Sequence, residues 1–222
     1  AHPAAKVGDT VMRLGWFLAL LLVCWQSGCL PSAMAATVSP QTLADLQRQL
    51  TAAPTLRAHF VQLKRVSGLA QPLRSSGELL FSRAHGLWWH QTEPFELTLT
   101  LDDRRLVQQL AGQAPEAITA DANPQLFEFS HLLLSLFTAD QQAMEQHFTL
   151  AFTPAPQTWT LQLTPKQPPL NQVFAQLEMQ GSLELQQLLI RDRQGDETQL
   201  NFSAIQHVPE ELTDVEQRRF AD

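Results

Sequence analysis

Cysteine is nearly missing from this 222-residue chain. The two present, Cys24 and Cys29, both lie near its start. The body therefore has no disulfide framework, no cysteine zinc site and no thiol nucleophile. Tyrosine is absent altogether, which removes a phenolic acid or base. Basic residues are also few, 15 Lys and Arg against 22 Asp and Glu. That balance argues against a nucleic-acid partner, whose phosphates need clustered cations. There is no GxSxG elbow, phosphate loop, dinucleotide glycine pattern or HExxH helix. The six histidines after the start, from His59 to His207, show no ligand spacing, so neither metal nor cofactor is expected.

What the chain does have is apolar material in patterned form. Hydrophobic residues make up 44% and charged residues 17%, enough for a core and unlike a disordered chain. The length suits one domain plus a leader. Met12 to Ala35 reads as that leader, with Arg13 as its positive start. Leu14 to Cys24 is an apolar run too short to span a bilayer comfortably, and Ala33-Met34-Ala35 is a small-x-small cleavage site. Residues 1–35 are thus expected to be upstream extension and export signal, leaving a mature domain over 36–222. An alternative start is lipidation at Cys29. Ser27-Gly28 suits it, whereas the polar Gln26 does not.

Within the mature chain, Leu43, Leu46 and Leu50 recur at helical spacing after Thr42. Strand patterns follow. Leu56, Ala58 and Phe60 alternate with Arg57 and His59. Leu79, Phe81 and Arg83 share one face, and Phe95, Leu97, Leu99 and Leu101 alternate with Glu96, Thr98 and Thr100. Leu106 to Leu110 reads as a weaker strand, and Ala111 to Asn123 has no clear pattern. From Pro124 to Phe148 the period becomes helical. Leu126, Phe129, Leu133, Leu136 and Phe137 form a broad stripe that must cover something apolar. Strands return at Thr149–Phe152, Trp159–Leu163, Phe174–Met179 and Leu183–Arg191. The last has Leu200, Phe202 and Ala204 on one face. The fold class is α+β: one curled antiparallel sheet with helices against it.

Arg83 conflicts with that pattern. A guanidinium in register with a greasy face is costly unless paired. Either it lies inside with its donors used, or it turns outward at the strand end toward a carboxylate such as Glu93. Trp89 is expected in the core or on a cavity wall, with Trp88 toward the sheet rim.

Several short motifs, in order, resemble the periplasmic lipoprotein carrier family LolA. They are Phe60-Val61-Gln62, Gly77-Glu78-Leu79-Leu80-Phe81-Ser82-Arg83, Leu87-Trp88-Trp89-His90 with Pro94, Asp102-Asp103-Arg104-Arg105-Leu106, and Leu163-Thr164-Pro165-Lys166. The chain departs from the family pattern at Ala84, where proline is usual. It departs again at Asp103 in the turn and at Val107-Gln108-Gln109, where the family has an aromatic strand. The resemblance implies a divergent member: an open antiparallel half-barrel covered by lid helices, and a carrier, not an enzyme. Its cargo would be an acylated lipoprotein or a related acylated lipid or glycolipid. It would collect cargo from a releasing transporter in the inner membrane and pass it, as a periplasmic monomer, to an outer-membrane acceptor. The expected cavity lining is Phe60, Leu79, Phe81, Trp89, Phe95, Leu97, Leu99, Trp159 and Leu161. Arg83 would latch a lid carrying Phe129, Leu133, Leu136 and Phe137. The rival readings are a lipid-anchored acceptor resembling LolB, an enzyme with two polar groups inside the cavity, and a ligand-free envelope protein with a filled interior.

Overall fold

The structure is a computed structural model, and it describes residues 39–102, 104–119, 121, 141–208 and 212–220. The leader, both cysteines and the lid residues Phe129, Leu133, Leu136 and Phe137 lie outside these.

Eleven strands form one antiparallel sheet in the order β6-β5-β4-β3-β2-β1-β11-β10-β9-β8-β7. Six of them make a meander running outward: β1 (Thr55–Arg65), β2 (Leu73–Ser82), β3 (Gly86–Glu93), β4 (Leu97–Leu101), β5 (Arg105–Leu110) and β6 (Glu116–Thr119). The chain then crosses to the far edge. It returns through β7 (Phe148–Pro154), β8 (Trp159–Pro165), β9 (Phe174–Gly181), β10 (Leu185–Asp192) and β11 (Glu197–Val208). Pairing of β1 with β11 joins the two meanders. Among the described residues the sheet does not close, and β6 and β7 are its edges. This is the open, helix-bearing antiparallel sheet expected from the residue pattern.

One face of the sheet carries the main core. Along β1, Leu56, Ala58 and Phe60 are buried while Arg57 and His59 are not. Leu79 and Phe81, Trp89, Leu97, Leu99 and Leu101, Trp159, Leu161, Leu163, Leu177, Leu188 and Leu200 continue the same layer. Helix α1 (Leu43–Leu50) lays Leu46 and Leu50 on it. A capping box starts α1. The Asp45 amide donates to Thr42 Oγ1, and the Thr42 amide donates back to Asp45 Oδ2. The Thr42 hydroxyl, which donates to Asp45 Oδ2 at 2.8 Å, and Arg48 beside it, together with the Thr42 amide, hold the Asp45 carboxyl below its ordinary range. The helix ends at Leu50, before Pro54, with Thr51 as its cap. Helix α2 (Gln141–His147) contributes Met144 to the core, and the one-turn α3 (Leu170–Val173) contributes Leu170.

The opposite face is not polar throughout. Leu80 and Trp88 project there and are covered by Leu212 and Phe220, which flank the short helix α4 (Asp214–Arg218). Glu216 of α4 takes two bonds from Arg57, at 2.5 and 2.8 Å. Arg219 lies 4.1 Å over the Trp88 ring, and the Phe220 carbonyl accepts from Arg105 at 3.3 Å.

Three expectations are corrected. Phe95 is 49% exposed and precedes β4, because the turn through Pro94 delays the ladder until Leu97. Ala204 is exposed with a left-handed φ of 50°, because the register shift against β1 breaks the alternation after Phe202. Arg83 is exposed one residue past the end of β2, not on the inner face. The stretch left without pattern holds β6.

Candidate functional site

The apolar face is the candidate site, and the turns and pairings of the sheet position its residues. Leu79 lies opposite Ala58 on one side and Trp89 on the other. Trp89 in turn faces Leu99. Gly77 fills the next position between Phe60 and Gln91. A side chain at Gly77 would meet the His90 carbonyl oxygen at 2.0 Å. Beside this gap the Phe60 and Trp89 rings stack with centroids 3.6 Å apart. On the other half of the sheet Trp159 faces Gly181, Leu161 faces Met179 and Leu163 faces Leu177. The Trp159 indole donates to the Ser182 carbonyl at 2.7 Å. Eight of the nine expected lining residues thus lie in one core cluster, and Phe95 does not.

Helix α1 bridges the two halves of the sheet through polar contacts. At one end the Arg83 guanidinium donates to the Thr51 carbonyl oxygen and, at 3.4 Å, to that of Ala53. These are carbonyls released at the helix C-terminus, where a cation is favourable. The Arg83 amide donates to Pro54 at 2.9 Å. On its other side Gln49 donates to the Leu183 carbonyl at 2.7 Å, in the β9–β10 turn. Gln47 reaches Gln141 of α2 at 3.3 Å. Ser39 donates to Pro156, in the β7–β8 turn, at 3.3 Å. Arg83 therefore turns outward, as one of the two alternatives had it, yet its partners are carbonyls. Glu93 pairs instead with Arg74, at 3.6 Å.

Polar residues missed from the sequence also occupy the apolar face. Gln62 and Lys64 continue the buried row of β1, and Ser75, Gln91 and Thr198 lie beside them. Lys64 Nζ is 3.6 Å from Asp196, and the Gln91 amide donates to the Phe95 carbonyl at 3.0 Å. Their signal was in the register: Gln62 and Lys64 stand two and four residues after Phe60.

A hollow of about 210 Å³ opens on the opposite face beside α4. Arg57, His59, Glu78 and Arg219 line it together with Trp88, Leu79 and Leu80, so its wall is part charged and part apolar. Among the described residues no cluster of His, Cys, Asp and Glu could hold a metal ion. No helix among them is long and apolar enough to cross a membrane.

These elements define an open antiparallel sheet with a largely apolar face under a polar-tethered helix. A scan against protein-family models places residues 33–213 in the family described as outer membrane lipoprotein carrier protein LolA-like, and the chain belongs to that family. Among solved structures it is similar to a LolA superfamily protein from Nitrosomonas europaea, with 9% identity and a TM-score of 0.44 over 80% of this chain and 96% of that one. It is also similar to an outer membrane lipoprotein-sorting protein domain from Vibrio parahaemolyticus, with 8% identity and a TM-score of 0.41 over 78% and 93%. No curated protein matches its sequence.

Proposed function

We propose that this chain is a periplasmic carrier that shelters the acyl chains of lipoproteins, or of a related acylated lipid, on the apolar face of its sheet. It would take them from a transporter in the inner membrane and yield them to an acceptor at the outer membrane. Its work is carriage, with no bond made or broken. The observation that carries this reading is an apolar layer that extends from Leu99 on β4 to Leu161 on β8, with a row of polar residues at one end, in a sheet that stays open. Each buried methylene is worth about 0.8 kcal/mol, so a sixteen-carbon chain needs roughly 12 kcal/mol of shelter. That layer is already buried, with Trp89 and Trp159 at 0% exposure, so an acyl chain would reach it when its cover moves aside.

Release must also be possible. The contacts of Arg83, Gln47 and Gln49 that tether α1 are side-chain hydrogen bonds, several of them at exposed positions. Such bonds can exchange with water at little net cost. We assign Arg83 the role of latch on α1, with the lid stripe of Phe129, Leu133, Leu136 and Phe137 as a second cover.

Native mass spectrometry of protein purified from a bacterial periplasm tests the reading. Co-purified acylated species that leave when the acyl chains are removed enzymatically are expected. Protein that carries no lipid, and gains none when mixed with a triacylated lipoprotein, would overturn it. Ser27-Gly28 before Cys29 also suits an anchored acceptor. The mass of the mature N-terminus decides between the two: a start at Ala36 supports the soluble carrier, a lipidated Cys29 the acceptor.

A further inference from the structure

We propose that Gln62 and Ser75 form a polar seat within the apolar face, and that it takes the amide link of an N-acylated lipid. The inference rests on the carrier reading and names the chemistry of its cargo. The two residues stand directly opposite each other on β1 and β2. Both are buried, at 5% and 7% exposure. Both share the face of Phe60, two residues before Gln62, and of Leu200, opposite Gln62 on β11. Among the described residues, Gln62 Oε1 and Ser75 Oγ have no hydrogen-bond partner. The Trp89 indole Nε1, on the ring stacked against Phe60, has none either.

Buried polar atoms are nearly always bonded, and an orphan costs its full desolvation. The neighbouring Gln91 shows the ordinary solution, since it bonds the Phe95 carbonyl. Methionine and alanine would fill positions 62 and 75 without orphaned atoms. Polar groups held there without partners have the properties of a site awaiting a ligand.

The chemistry of the ligand follows from the inventory. Gln62 Oε1 accepts, Trp89 Nε1 donates, and the Ser75 hydroxyl does both. A secondary amide offers one N–H and one carbonyl, so it can satisfy an acceptor and a donor together. An ester offers acceptors alone and leaves Gln62 Oε1 orphaned. A site built to bond an N–H disfavours the analogue lacking it, because its acceptor is then left unpaired. The apolar layer beside the seat would take the chain, and the seat would read how the chain is joined.

The test compares palmitoylglycine methyl ester with palmitoylglycolate methyl ester, which differ by one N–H. Binding to the full mature chain is measured by calorimetry for wild type, Gln62→Met and Ser75→Ala. Wild type is expected to prefer the amide by about tenfold, the worth of one net hydrogen bond. Gln62→Met should lose most of the preference by losing the tighter binding of the amide, Ser75→Ala should weaken both lipids, and neither variant should melt lower than wild type. Equal binding of the two lipids by wild type overturns the seat and leaves the carrier reading standing. A preference that survives in Gln62→Met overturns it too. Failure of wild type to bind either lipid overturns the seat together with the reading beneath it.

Discussion

Gly77 shows how a single position governs the apolar face. It lies mid-strand in β2, where glycine is ordinarily a weakness. Here the strand packs so closely on β3 that a methyl would meet the His90 backbone oxygen at 2.0 Å. Backbone cannot swing aside as a side-chain tip can. Gly77→Ala is therefore expected to cost about 2–4 kcal/mol and to disturb the Phe60–Trp89 stack beside it. Urea denaturation with tryptophan fluorescence checks both. An unchanged midpoint would mean that β2 and β3 can part without loss. Arg83 lies at the other end of the same strand. Its bonds go to carbonyls at the surface, so Arg83→Ala should cost about 1 kcal/mol. Under the latch role its larger effect is faster loss of a bound fluorescent fatty acid. A release rate equal to wild type would leave Arg83 as a helix cap and nothing more.

Among the elements, α4 explains what alternation left over. Leu80 and Trp88 fall on the face that alternation assigns to solvent, and each is buried by Leu212 and Phe220. The ion pair from Arg57 to Glu216 fixes that cover. The bonds from Arg57, helped by Thr213, hold the Glu216 carboxyl down at about 2, well below its usual 4.5, despite burial. A carboxyl depressed on folding stabilises above its unfolded value, and that stability drains as pH falls from 4.5 to 2. Glu216→Gln should cost about 2–3 kcal/mol at pH 7 and flatten the pH dependence in that window. Equilibrium unfolding at pH 7 and pH 3 measures both effects, and parallel curves for variant and wild type would contradict the assignment. The strands with clean alternation, such as Leu97 to Leu101, were legible from the residues alone, because burial on one face leaves a period of two. The cover by α4 was not, since nothing local tells Leu80 that a helix over a hundred residues later will lie on it. Phe95 and Arg83 were misplaced for a related reason. Alternation says which residues share a face, but not where hydrogen bonding begins or stops.

At the scale of the whole molecule, the β1–β11 pairing is the joint on which both meanders hang, and no local pattern announces it. The family resemblance supplied the open sheet, but the polar row of Gln62, Lys64 and Ser75 became visible only when β1 was placed between β2 and β11. That joint also carries a pH sensitivity. His207 faces Leu56 near the start of β1, and burial pushes its imidazole from 6.5 down to about 4. Above pH 6.5 the ring is neutral whether the chain is folded or not, so it adds no pH dependence. Between 6.5 and 4 the unfolded chain binds a proton that the folded one refuses, so stability falls as pH falls; below 4 this contribution levels off. The loss across the window is roughly 2–3 kcal/mol, less whatever water relieves. It precedes the Glu216 loss on an acid titration, because the two windows meet near pH 4. His207→Gln should therefore hold its stability from pH 6.5 to 4.5 better than wild type does, while losing it in step with wild type below pH 4. If the two proteins instead decline together through the upper window, the joint between the meanders is not where mild acid loosens the molecule.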